Sequence, residues 1–439
     1  MDDTIRHPLT YARQQEGWSQ EDLAVQVRRA AVLRGRRSGT DRQRVWKWET
    51  RRAVPDSESQ LLLADAFGVM EQEVERYGWP GWLPGRETPL PLGSAYTITA
   101  LREAHRTVLD RRAFVAYTGA ALVGLAAQWA TLEPDRLRGA LDGQNVDTTL
   151  VDWLERTSAD LSAMPTEQRQ HTAKLLDAHL ATVTDLIEGR RYDKATGIRL
   201  HRLAATLGIT NGWYRFDQQQ HASASRLWDA ALRSAHDSGG VDLGAGIVSD
   251  QAYQATWLGN PQTAADLLGH ALSRARHPTA RSLLHLRRAR AYAALGQRSA
   301  CYRSLRESER ELDKPASDDA PAWCSWMSPA DLAVDHGGCL MDLGRFEEAH
   351  ERIGEGIALL PSTRDKTKSV FLVYQARGLL QRGEVDEALS VTAESWDLAN
   401  RIGAQRCLNL VHDLAPRLNK FRQLAEVRDL LERVGVDAA

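Results

Sequence analysis

The sequence predicts an all-α protein with a small basic helical domain followed by a long array of helical hairpins. Apolar residues recur at spacings of three and four along most of the chain, and no stretch shows the alternation of a half-buried strand. Nine arginines and Lys47 fall between residues 28 and 52, against only Asp41 and Glu49. In the C-terminal half, a block with a glycine at its turn recurs four times, as in proteins built from stacked repeats.

The composition limits the classes of function. The 439 residues carry a formal net charge of −2, so any nucleic-acid site must be a local patch on the surface. The four cysteines form no C-x-x-C pair, which indicates reduced thiols without a disulfide framework or zinc site; they are Cys301, Cys324, Cys339 and Cys407. The N-terminus lacks the apolar core of a signal peptide, and we expect a cytoplasmic, nucleoid-associated protein without membrane contact.

The first 77 residues predict five short helices. Residues 9–17 have helical spacing, and Ser19 is a good N-cap for a second helix with Leu23, Ala24 and Val27 on its inner side. Asp56 is placed to cap a later helix that is rich in leucine and alanine. This number of helices in this length is what a helix-turn-helix domain needs.

Residues 40–49 predict a helix suited to the DNA major groove. Thr40 is the expected N-cap, with Gln43 reaching back in a capping box. Val45 and Trp48 share the inward side. The outer side and its flanks hold Arg42, Gln43, Trp46 and Lys47. Arginine and lysine match the acceptors of guanine and glutamine matches adenine, although a solvated charged surface is the alternative.

Four blocks in this region resemble the Xre/Cro/C1 helix-turn-helix regulators. They are WSQEDLA at 18–24, VWKWE at 45–49, PDSE at 55–58 and LLLADAFGV at 61–69. The resemblance implies that the first turn of the recognition helix reads bases, which points to Arg42, Gln43 and Lys47. It also implies phosphate contacts, for which the candidates are Gln20, Arg44, Arg51 and Arg52.

The chain departs from that family in its turn, which is longer between Val27 and Val45 than in a compact member. We expect the second helix to run to Leu33 or beyond and an extra basic loop to follow it. Arg36 and Arg37 in this loop either contact phosphates, which we favour, or remain solvated. Trp48 is expected in the core, and the role of Trp46 stays open.

Residues 78–94 are rich in proline and glycine and predict a linker, tied down by Trp79, Trp82 and Leu83. Residues 95–200 predict a helical connecting region. In it, the apolar run after Arg111 and Arg112 imitates an export signal, but we expect a buried helix because the run is too short to span a bilayer comfortably. We predict no metal site.

Residues 201–439 contain the repeats, which resemble tetratricopeptide repeats. Glycines at 259, 296, 344 and 383 each precede a small residue by five positions, and an earlier unit aligns with Gln219 at its turn. The resemblance implies a right-handed solenoid with a concave inner surface and a cap beyond Cys407. The spacing exceeds that of the ideal repeat, so we expect long helices or long loops.

The resemblance also implies that the first helix of each repeat lines the concave groove. The candidate ligand-binding residues are Trp213, Phe216, Asp250, Tyr253, Arg287, Arg290, Asp335, Tyr374 and Arg377. Aromatic side chains beside arginines suit a peptide, because arginine binds carboxylates and aromatic rings cover apolar side chains. The alternatives are a protein-docking or dimerising surface, or a place in the core between repeats.

Together the two parts resemble peptide-responsive bacterial regulators. The resulting expectation is a homodimer on a double-stranded DNA operator, with a signalling peptide or small molecule as effector and no cofactor. An enzyme is not expected, since no Gly-rich phosphate loop, G-x-S-x-G or H-E-x-x-H motif is present. The alternative function is a DNA-bound adaptor that docks a protein partner without a small effector.

Overall fold

Helices make up every regular element in the part of the chain that the structure, a computed structural model, describes. That part comprises residues 8–50, 52–83, 92, 94–109, 123, 126, 129, 146, 148–164, 166–189, 191–315 and 319–435. The predicted all-α class is confirmed. No helix within these ranges is both long enough and apolar enough to cross a membrane.

The N-terminal domain has the five predicted helices. They are α1 (Pro8–Gln15), α2 (Gln20–Leu33), α3 (Arg42–Glu49), α4 (Ser57–Phe67) and α5 (Glu71–Tyr77). Ser19 caps α2 in a capping box with Asp22. The helix runs to Leu33, as we predicted from the length of the segment between Val27 and Val45. One core joins all five helices, with Leu23, Trp48 and Leu63 among its fully buried side chains.

The cap of α3 differs from the prediction. Asp41, and not Thr40, is the N-cap: its Oδ1 accepts a hydrogen bond from the backbone N–H of Arg44 at 2.8 Å. Thr40 is buried, and its hydroxyl bonds that of Ser38 at 2.9 Å. Because the carboxylate is the stronger acceptor and reaches the free N–H groups of the first turn, the helix starts at Arg42, and the predicted capping box with Gln43 does not form.

The linker is anchored at its beginning. Trp82 and Leu83 are buried in the core of the first domain, and Trp79 packs against that core, as predicted. Residues 84–91 and 93 lie outside the described part. The Cβ that an alanine would add at Gly81 lies 3.1 Å from Oδ1 of Asn260, which places the end of the first domain against the repeat domain.

Three helices precede the repeats: α6 (Ser94–Leu109), α7 (Thr148–Ala163) and α8 (Thr166–Gly189). They share one apolar core with the next helix, α9 (Lys194–Asp217). Because α9 runs across residue 200, the domain boundary drawn there from the sequence falls inside a helix. Most of the predicted buried helix after Arg112 lies outside the described part, but Ala126 and Trp129 are buried in the core of the repeats.

The repeat domain is a tetratricopeptide-like α-solenoid of helical hairpins. The hairpins are α9 with α10 (His221–Asp237), α11 (Val241–Trp257) with α12 (Pro261–Arg274), α13 (Pro278–Ala294) with α14 (Arg298–Leu312), α15 (Pro329–Asp342) with α16 (Phe346–Leu359), and α17 (Asp365–Arg382) with α18 (Val385–Arg401). The predicted cap is α19 (Gln405–Leu418), a short 3-10 turn and α20 (Ala425–Val434).

The turns fall where the repeat pattern placed them. Gly259, Gly296, Gly344 and Gly383 all have φ between +69° and +83°, which is the left-handed conformation that glycine adopts without strain. Gln219 has φ of +58° at the equivalent turn of the first hairpin, as the alignment of that earlier unit predicted. Small residues five positions after the glycines are buried where the two helices of a hairpin meet.

Long helices and one long loop explain the wide spacing. Helices α11, α13 and α18 have 17 residues each and α17 has 18. The connection from α14 to α15 is the longest between hairpins, and its Trp323 packs so closely on α11 that a Cβ at Gly246 would lie 2.6 Å from the ring. The spacing of 48 residues between Gly296 and Gly344 comes from this loop.

Candidate functional sites

Helix α3 presents the predicted base-reading residues to solvent. Arg42, Gln43 and Lys47 are exposed, while Val45 and Trp48 are buried beneath them. Within the described residues, Arg42 and Lys47 form no ion pair, so both charges are available to an anionic partner. The outer side of α3 therefore has the chemistry that the sequence predicted.

A buried ion pair fixes the far end of α3. Both Glu49 carboxylate oxygens are engaged: Nε of Arg13 donates to one at 2.7 Å and Nε2 of Gln20 donates to the other at 2.5 Å. These bonds join α3 to α1 and α2, and they hold the orientation of the helix. The Gln20 amide, predicted to contact a phosphate, has this internal bond in the structure.

Some arginines in and near the basic loop form ion pairs, and one does not. Arg36 lies 3.2 Å from Glu58, and Arg44 lies 3.7 Å from Asp56. Arg37 is exposed and has no ion pair in the described part of the chain.

The two cations after α3 have different outcomes. The guanidinium of Arg52 stacks on the Trp46 ring at 4.5 Å, which gives that half-exposed ring a partner. Arg51 lies outside the described residues.

The second candidate site is on the inner surface of the solenoid, where a buried ion pair joins three hairpins. Asp250 accepts from Nη1 of Arg287 at 2.9 Å and from Nε1 of Trp213 at 2.8 Å. Arg287 also donates to Ser249 at 2.8 Å. Burial raises the pKa of Asp250, and the nearby Arg287 opposes that rise. The three side chains come from α9, α11 and α13, so the pair holds these helices in register.

An aromatic cluster beside this pair encloses an arginine from the cap. The guanidinium of Arg406 lies 5.0 Å from the ring centre of Trp257, 5.3 Å from that of Tyr253 and 5.5 Å from that of Phe216. Arg406 also donates to the Tyr253 hydroxyl. Helix α19 therefore contacts α11.

The other half of the inner surface centres on Arg290. Its guanidinium lies 3.2 Å from Asp342, 4.0 Å from Asp335 and 6.0 Å from the ring centre of Tyr374. Burial raises the pKa of Asp335, and Arg290 is the first of the cations that counter it. A basic side chain of α13 thus lies near two acidic side chains of α15 and an aromatic ring of α17.

A cavity of about 230 Å³ opens where the first hairpin faces the cap. Its lining includes Trp213 and Asp217 from α9, Lys366 from α17 and Arg406 from α19. Lys366 forms an ion pair with Asp217, and Arg406 lies 3.8 Å from the same carboxylate. Leu161 and Leu176, from α7 and α8, supply part of the apolar wall.

Residues 9–71 match the family model of the SP15 N-terminal domain. No curated protein matches the chain. Among solved structures, a Rap protein complexed with competence and sporulation factor is 12% identical, with a TM-score of 0.44 over 78% of this chain and 96% of that chain. Aspartyl phosphate phosphatase F from Bacillus subtilis is 11% identical, with a TM-score of 0.38 over 78% and 92%. A STAND protein with a tetratricopeptide repeat sensor, from Pyrococcus horikoshii, is 10% identical, with a TM-score of 0.41 over 95% and 59%.

The structure brings most of the predicted groove residues together but buries three of them. Phe216, Asp250 and Arg287 are at most 8% exposed, so for these the predicted alternative of a core position between repeats applies. The half-buried members are Trp213, Tyr253, Arg290, Asp335, Tyr374 and Arg377. The pattern of the repeats missed Arg406, Lys366 and Asp217, because they stand at helix ends and meet only through the curvature of the solenoid.

One group of metal-ligand type occurs among the described residues: His285, Glu307 and Glu311. Glu311 already lies 3.0 Å from Arg281 and 2.7 Å from Lys314. Because these cations pair with Glu311, the most buried of the three residues, the group is best explained as part of an ion-pair network between α13 and α14.

Proposed function

We propose that this protein is a DNA-binding regulator, active as a homodimer, whose helical-repeat domain binds a peptide or small molecule on its inner surface. The observation that carries the DNA-binding part is the exposed side of α3, where Arg42, Gln43 and Lys47 project from a helix fixed by Trp48 and Glu49 beneath it. A helix held from below with unpaired donors above is what direct reading of base edges requires. The proposal assigns no catalytic step to the chain.

The proposed contacts divide by chemistry. Arg42 and Lys47 have donors for guanine O6 and N7, and the Gln43 amide pairs with adenine N6 and N7. Arg37 is proposed as a phosphate contact, because it is exposed and unpaired in the described part of the chain. Arg36 and Arg44 must first leave Glu58 and Asp56, so they contribute less.

The inner surface supplies the proposed regulation. Its network runs from Trp213 in the first hairpin to Arg406 in the cap, so a bound molecule would contact both ends of the solenoid. A ligand that binds one curvature better than another shifts the population of curvatures. In a homodimer this changes the distance between two recognition helices, which must match half-sites about 34 Å apart.

The test is genome-wide binding by the full-length protein, followed by gel shifts on the strongest site. We expect Arg42→Ala, Gln43→Ala and Lys47→Ala each to weaken binding to that site by about 1–3 kcal/mol. Arg37→Ala is expected to weaken all DNA alike. If Arg37 neutralises one phosphate charge, raising salt from 50 to 200 mM should lower the affinity of one half-site about 3.5-fold through this contact.

A matched control is Arg310→Ala, which removes an exposed arginine from α14 in the repeat domain. This change should leave both the affinity and the salt dependence unaltered. Unchanged affinity in all three variants of the outer side of α3 would refute the assignment of base contacts. Absence of salt-sensitive binding to any duplex would refute the DNA-binding proposal itself.

A further inference from the structure

The cavity between the first hairpin and the cap contains a buried cation with an incomplete set of partners. Arg406 is only 9% exposed and lines the cavity. Its Nε is buried and has no hydrogen-bond partner in the described part of the chain. A buried guanidinium with an unused donor is costly unless an acceptor is supplied.

The charges around this cavity leave a positive surplus. Arg406 and Lys366 share a single carboxylate, that of Asp217. Asp217 forms a hydrogen bond with Lys366 through Oδ2, whereas its Oδ1 lies 3.8 Å from Arg406 and accepts no hydrogen bond among the described residues. Asp217 therefore forms a close ion pair with Lys366 but only a distant one with Arg406. A second anion in the cavity would neutralise the remaining positive charge.

The rest of the wall is suited to an apolar group. Leu161, Leu176, Ile209 and Trp213 line the same cavity as the charged side chains. A volume of about 230 Å³ is smaller than the usual site for a drug-sized ligand, and it fits one amino-acid residue or a small acid.

We propose that this cavity binds a carboxylate that carries an apolar group, with the carboxylate at Arg406 and Lys366 and the apolar group on the leucine and isoleucine wall. The carboxylate is either the C-terminus of a peptide or that of a free small acid. The inference deepens the proposed function, on which it rests for the role of the ligand. It also gives Asp217 a role, as the internal anion that competes with the ligand for the same two cations.

The test uses the full-length protein and two pairs of probes, with binding measured by calorimetry and ligand-observed NMR. The first pair is N-acetyl-leucine and its amide; the second is a four-residue peptide ending in leucine and its C-terminal amide. We expect each free acid to bind about tenfold more tightly than its amide, because only the acid forms charge-assisted bonds. Tighter binding of the peptide acid identifies a peptide terminus, and equal binding identifies a small acid.

Three variants separate the proposed chemistry from a loss of folding. Lys366→Gln should weaken binding of the acids about tenfold and leave the amides unchanged. Asp217→Asn should strengthen binding of the acids several-fold, since it removes the competing anion while keeping the size of the side chain. Lys368→Gln is the matched control, because Lys368 is on the same helix, more exposed, and paired with Glu394; it should change nothing.

Equal affinity of acid and amide, including no binding of either at roughly 10 mM, would overturn the proposal. The proposal would also be overturned if the Asp217→Asn variant bound the acids more weakly than the unaltered protein does. These failures are distinct from failure of the proposed function, since gel shifts with the same preparations report DNA binding independently. If the protein binds DNA but binds each acid and its amide equally, the DNA-binding proposal stands and the carboxylate-binding proposal is wrong.

Discussion

The substitution Gly212→Ala would test the packing of the first hairpin, on which the inner surface depends. A Cβ added at this position in α9 would lie 2.3 Å from Nε1 of Trp228 and 2.6 Å from its Cδ1. Non-bonded carbon contacts are normally about 3.5–4 Å, so the ring would have to move by more than about 1 Å. Trp228 is fully buried and donates to the Ile209 carbonyl at 3.3 Å, which leaves no free space for that movement.

The expected effect of Gly212→Ala on the free energy of unfolding is the sum of two destabilising contributions and one stabilising contribution. Overpacking costs about 1–3 kcal/mol, and the strained Trp228 hydrogen bond adds about 1 kcal/mol. Replacing glycine by alanine inside a helix returns about 1 kcal/mol. We therefore expect a net loss of about 2 kcal/mol in the free energy of unfolding, measured by urea unfolding with far-UV circular dichroism.

The matched control is Gly354→Ala, a helical glycine of α16 around which no atom lies within 4 Å of the added Cβ. It should stabilise the protein by up to about 1 kcal/mol, so the two variants should differ by about 3 kcal/mol. If Gly212→Ala stabilises the protein as much as Gly354→Ala does, the close contact between α9 and the Trp228 ring does not exist. The predicted geometry of the inner surface would then also be incorrect.

Two further predictions concern buried ionisable groups. Burial lowers the pKa of His201 and of His221 to about 4. Because the unfolded chain binds protons at the ordinary histidine pKa of about 6.5, stability that is present above pH 6.5 is lost as the pH falls towards 4. The loss should be about 1 kcal/mol per histidine at pH 5.5. Urea unfolding at pH 7.5 and 5.5 measures this loss, His221→Gln should reduce it, and midpoints independent of pH would contradict the burial. Asp250→Ala should cost about 3–5 kcal/mol in the same assay, because it leaves Arg287 buried without its counter-charge. Asp397→Ala removes one partner of an exposed ion pair and should lower the free energy of unfolding by less than about 1 kcal/mol. If Asp250→Ala lowered it no more than Asp397→Ala does, the pair of Asp250 with Arg287 would be exposed to solvent.

Much of the fold was predictable because its signals are local. The left-handed turns at Gly259 and Gln219 depend on the few residues around them, and the period of the apolar residues places Val45 and Trp48 on the inner side of α3. Hydrogen bonding within a helix and burial of one helix face act over a few residues, so a sequence records them directly. The order of hairpins and the exposed candidates for DNA contact follow from these signals.

The tertiary structure alone decided the partners of the charged side chains. The sequence predicted Thr40 as the cap of α3, but Thr40 is buried and the carboxylate of Asp41 caps the helix. Arg406 meets Tyr253 across 153 positions of sequence. Such contacts arise because small rotations between successive hairpins add up to bring the cap back over the first repeats. No short segment contains that sum, so the cavity lined by Arg406 became visible only in the folded chain.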